Sequence, residues 1–120
     1  MVYFLVANKS YKYKSGKKSH VIYIGTTGKG IQRPATSAVD KASEAFSELR
    51  GVKEIKVHIA GCQARKAMRT WEYLESALLA VFRDTHYELP KYNKQKGNEK
   101  DIRVFRRSAL QKVIDQFGES

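Results

Sequence analysis

An unbroken run of β-branched and aromatic residues opens the chain. Residues 2–7, beginning Val2-Tyr3-Phe4-Leu5-Val6, carry no polar position, the pattern of a strand covered on both faces and hence central in its sheet. His20-Val21-Ile22-Tyr23-Ile24-Gly25 repeats the pattern. The stretch between them holds Lys9, Lys12, Lys14, Lys17 and Lys18 without an acid, together with Tyr11, Tyr13 and Gly16, and reads as a long basic hairpin loop outside the core.

Gly25-Thr26-Thr27-Gly28-Lys29-Gly30 closes the second strand, and Ile31 to Arg33 begin a helix that Pro34 bends or restarts. Ala35, Ala38, Val39, Ala42, Ala45, Phe46 and Leu49 then recur at helical spacing, ending before a C-cap at Gly51. Residues 54–59 alternate polar and apolar, as expected of an edge strand with one buried face and with His58 toward solvent. A strand-helix-strand crossover is right-handed with its two strands parallel, so the third strand can lie beside the first and antiparallel to it. The expected fold is therefore α+β, a single domain over residues 1–120 with a three-stranded antiparallel sheet of order 2-1-3 flanked by helices. A helix over 63–85, with Ala67, Met68, Trp71, Leu74, Leu78, Val81 and Phe82 as its stripe, a loop to Asp101 too polar to pack, and a basic helix over about 102–117 complete it.

The formal charge is +11, with 23 basic against 12 acidic side chains, and residues 1–60 carry +7 of it. A polyanionic partner fits this bias, because each neutralised phosphate releases condensed counterions. Cys62 is the sole cysteine, so no intramolecular disulfide forms and a reducing compartment, the cytoplasm, is expected, with Cys62 itself a small buried hydrophobe. The N-terminus starts directly on a strand pattern rather than a leader, and no apolar run approaches the roughly 18 residues a membrane helix needs. Gly25 to Ile31 fails the P-loop pattern, since Lys29 precedes the last glycine and no Ser or Thr follows it. His20, His58 and His86 have no zinc-ligand spacing.

Tyr3 and Tyr23 interrupt strands that packing alone would fill with Val or Ile, Arg33 follows Tyr23 by ten residues, and Glu75 lies on the margin of an apolar helical stripe. An unpaired carboxylate is costly there. Glu72, one turn earlier, is the alternative acid. Glutamate is a hard oxygen ligand for Mg²⁺, and the planar fork of arginine matches phosphate. Taken in order, Val2-Tyr3, Tyr23-Ile24-Gly25, Arg33, Glu75-Ser76-Ala77-Leu78-Leu79 and Pro90-Lys91-Tyr92-Asn93 resemble the GIY-YIG nuclease family over residues 2–93.

That resemblance implies a metal-dependent endonuclease hydrolysing phosphodiester bonds in DNA, with Mg²⁺ or Mn²⁺ held by Glu75 and catalysis by Tyr3, Tyr23, Arg33 and Glu75. One tyrosine is the general base, with Tyr3 favoured for that role and Tyr23 for positioning. Lys12, Lys14, Lys17, Lys18, Lys29, Asn93, Arg103, Arg106 and Arg107 are the expected nucleic-acid contacts. Met1, Thr26 and Ser37 stand where family members carry glycine, lysine, and tyrosine or histidine, and Lys29 or a hairpin lysine is the expected source of the missing charge. A catalytically inert nucleic-acid-binding module of the same fold and an RNA-directed nuclease are the alternatives, and specificity is open: structure-directed, relaxed, or lent by a protein partner or a homodimer.

Overall fold

The computed structural model describes residues 2–26, 32–59 and 69–119, with the side chains of 32–37, 69–71 and 104 outside that description. The elements run β1 (Val2–Lys12), β2 (Lys18–Thr26), α1 (Gln32–Glu48), β3 (Ile55–Ile59), α2 (Arg69–His86), a 3-10 turn (Glu99–Val104) and α3 (Arg107–Gly118). The sheet is antiparallel throughout, in the order β2-β1-β3, and the fold is α+β as expected.

β1 is central because both its faces are apolar. Val2, Phe4 and Val6 join Leu78, Phe82 and Ile114 in a core under α2 and α3, while Tyr3, Leu5 and Ala7 pack with Ala38 and Ala45 of α1 on the other face. Between the Leu5–Tyr23 and Val6–Val21 pairs the register slips. The extra residue sends Ile22 and Tyr23 into the same face, the one that carries Tyr3.

Four expectations are corrected. The basic stretch after β1 is mostly strand, since β1 continues to Lys12 and β2 starts at Lys18, leaving a turn with Gly16 at φ 89°. Tyr13 lies within the core, 2% exposed, with its hydroxyl donating to the Val21 carbonyl at 2.5 Å. The lysines around it stay in water, so a charged stretch and a buried aromatic share one hairpin.

β3, in turn, does not bury one clean face. Val57 and Ile59 are 53% and 56% exposed, whereas His58, expected in solvent, stacks on Phe117 with ring centroids 4.9 Å apart. Alternation establishes that two faces differ, but which face is covered depends on where the helices land. The polar segment before residue 101 also packs closely. A Cβ on Gly97 would lie 2.0 Å from the Ser76 carbonyl oxygen, and the Asn98 N–H donates to Ser76 Oγ at 2.7 Å. The last helix is shorter than expected, because Phe105 and Arg106 are extended and break it from the 3-10 turn that Asn98 caps.

Candidate active site

Tyr23 on β2, Lys41 on α1, Glu75 and Leu79 on α2, and the segment Tyr92 to Gln95 line one cavity of about 230 Å³. Each element delivers its side chain for a local reason. The register slip turns Tyr23 toward α1, where its ring sits diagonally from that of Tyr3 with centroids 6.1 Å apart. Gly25 makes that pairing possible. A Cβ there would come within 2.6 Å of the Tyr3 hydroxyl and 2.8 Å of the Tyr23 ring. Gly25→Ala is therefore expected to cost about 1 to 3 kcal/mol and to displace both phenols. Thermal unfolding checks this, and an unchanged melting temperature would contradict it.

The two tyrosines are not equivalent. Tyr3 is 2% exposed and lies behind Tyr23, whereas Tyr23 is half-buried and faces the cavity. Burial raises the Tyr23 pKa above the usual tyrosine value, the nearby Glu75 carboxylate raises it further, and the Tyr3 hydroxyl partly opposes both.

Glu75 is half-buried on α2, and Glu72, one turn earlier, is exposed. Burial, then repulsion from Glu72, pushes the Glu75 carboxyl up to about 7, with the Thr26 backbone N–H opposing as a donor. It is a carboxylate poised to change charge near neutrality. Among the described residues no three His, Cys, Asp or Glu side chains gather as a metal cluster.

Asn93 is engaged with backbone. Its Oδ1 accepts from the Ile24 N–H at 2.9 Å and its Nδ2 donates to the Ile24 carbonyl at 2.8 Å, while the Tyr92 N–H donates to the Ile22 carbonyl at 2.9 Å. Residues 92–93 thus dress the outer edge of β2 and hold Tyr23 from both sides. Asn93, expected among the nucleic-acid contacts, has a positioning geometry through these bonds. Asn93→Leu leaves both Ile24 groups without these partners and is expected to cost about 1 to 3 kcal/mol, read by urea unfolding. Parent-like unfolding of that variant would remove the assignment.

Arg33 belongs to the first turn of α1, but its side chain lies outside the described residues, as do Lys29 and Cys62. Lys12, Lys14, Lys17, Lys18, Arg103 and Arg106 are exposed. Arg107 is exposed as well and is paired with Asp84 at 2.8 Å. Sequence reasoning missed Lys41, Lys94 and the wall formed by Tyr92. For Lys41 the signal was available, since position 41 lies eight residues after position 33 and so on the same helix face. No described helix is long and apolar enough to cross a membrane. No family model, curated protein or solved structure matches the chain, so the functional reading stands on this geometry.

Proposed function

We propose that the chain is a metal-dependent endonuclease of the GIY-YIG type that hydrolyses phosphodiester bonds in DNA. The observation that carries this reading is convergence: Tyr23, Glu75 and Asn93, from three separated parts of the sequence, meet at one polar cavity together with Lys41 and Lys94. Opposed cations and one carboxylate suit a phosphate better than an apolar ligand.

Mg²⁺ or Mn²⁺ fits a single carboxylate, because Mg²⁺ keeps several waters and relies on one or two carboxylates plus substrate phosphate. Glu75 is the side chain that would hold it, and the bound ion would supply charge neutralisation on the phosphoryl oxygens and a more acidic water. Tyr23 is placed to take a proton from attacking water once it is ionised, and a bound ion together with the nearby Lys41 ammonium would favour that ionisation against the burial that opposes it. Tyr3, buried behind it, is a positioning residue. Arg33 offers the fork for the phosphate. The exposed hairpin lysines and Arg103 and Arg106 provide contacts to the phosphate backbone, which position the substrate without reading sequence. A lone cysteine fits a reducing compartment, and we place the protein in the cytoplasm.

Incubating supercoiled plasmid and labelled oligonucleotides with Mg²⁺ or Mn²⁺, and again with chelator, tests the reading. Cleavage is expected with metal only and is lost in Arg33→Ala while salt-sensitive binding persists. Binding by the parent chain without any cut, with either metal, would replace the nuclease by an inert binding module. Preferential cutting of RNA would redirect the substrate.

A further inference from the structure

The cavity holds a cation that none of the motif positions supplies. Lys41 emerges from α1 with a side chain only 21% exposed, and its Nζ lies 5.8 Å from the centroid of the Tyr23 ring. Its one ion pair among the described residues, with Glu44 on the same helix, is 3.7 Å long and therefore loose. A largely buried ammonium with so weak a partner favours an anion brought to it. Among the described residues of the cavity wall, Lys41 and Lys94 stand against Glu75 as the single acid.

We propose that Lys41 is a catalytic residue of this site, its ammonium contacting a non-bridging oxygen of the scissile phosphate seated beside Tyr23 and Glu75. The inference rests on the phosphodiester-hydrolase reading above. In the step, water oxygen forms the new bond to phosphorus as the bond to the leaving oxygen breaks with its electron pair. Tyr23 first gives its phenolic proton to solvent, the water proton passes to the resulting phenolate, and the leaving oxygen takes a proton from solvent. Lys41 keeps its proton throughout and acts as fixed positive charge where negative charge grows on the phosphoryl oxygens. Its four-carbon stem gives it the reach to leave Glu44 for the phosphate. The ring face of Tyr23 guides that path, because a cation is attracted to an aromatic face.

Single-turnover cleavage by four variants tests this. Lys41→Met keeps the stem and removes the charge, and is expected to slow cleavage about 100-fold while oligonucleotide affinity changes by less than about 3-fold. Lys41→Arg retains a substantial part of the rate. Lys41→Ala is slow and is rescued saturably by added ethylammonium, a result that a packing role does not give. Glu44→Gln, which removes only the loose surface partner, leaves the rate within about 2-fold. If the parent cuts and Lys41→Met cuts equally fast, Lys41 has no such role and the hydrolase reading stands. Slow cleavage in Lys41→Ala without ethylammonium rescue would reduce Lys41 to a structural residue. A parent chain that does not cut overturns both inferences together.

Discussion

Glu75→Gln is expected to abolish metal-dependent cleavage and, in chelator, to leave the folded chain more stable than the parent at pH 8. The loss of activity, about 1,000-fold or more, follows from removing the only carboxylate that the described residues place on the cavity wall. The gain in stability follows from the same burial. Because the folded carboxyl is raised to about 7, the native chain holds that proton more tightly than the unfolded chain does. The stability contributed by Glu75 is thus fully present below the unfolded pKa, roughly 4.5, and is lost as pH rises through 7.

The shift corresponds to at most about 3 kcal/mol, reduced by whatever solvent reaches the carboxylate. Glutamine is neutral at every pH, so the advantage of the variant is absent below about pH 4.5, grows as pH rises from there towards 7, and is complete above pH 7. Melting curves of parent and variant at pH 5 and pH 8 measure it. Equal melting temperatures at pH 8 would mean that the carboxylate is not held at a cost, and the poised-acid account would fail. Such an exchange of stability for activity is common where a strained site performs chemistry.

The second large effect separates the two tyrosines. Tyr23→Phe is expected to slow single-turnover cleavage about 100- to 10,000-fold, the range for a lost general base, whereas Tyr3→Phe slows it far less. Position decides this. Tyr23 reaches the cavity, and Tyr3 is shut behind it. The Tyr3 hydroxyl opposes the rise in the Tyr23 pKa, so removing it should move the rising limb of the pH–rate profile to higher pH. The outcome that restores Tyr3 as base is the reverse pattern, an inactive Tyr3→Phe beside an active Tyr23→Phe.

The sheet was legible because residues 2–7 are apolar on both faces, and only a central strand needs that. Sheet order then followed from crossover handedness. The hairpin was misread because lysine marks exposure without marking loop, and Tyr11 and Tyr13 gave the competing strand signal. The exposure of Val57 and Ile59 was not legible, since the position of α1 over β1 and β2 is a tertiary outcome that no local pattern records.

For the site, Tyr23 and Glu75 were readable from side chains placed where packing alone would not choose them. The partition between the tyrosines was not, because it depends on a one-residue slip between strands. Asn93 was singled out by its motif, but its hold on backbone was not legible. Its partner is the backbone at Ile24, 69 residues earlier, and sequence separation of that size hides a hydrogen bond completely.

That pairing has a consequence for how the molecule can be cut down. The first four elements contain the whole sheet and look like a self-sufficient unit, yet the outer rim of β2 is finished only when chain from beyond α2 returns to it. A fragment ending before Pro90 would carry a bare strand margin open to association with its neighbours, and its cavity phenol would swing on an untethered backbone. The C-terminal portion is therefore as much a part of the scaffold around the cavity as the strands it completes.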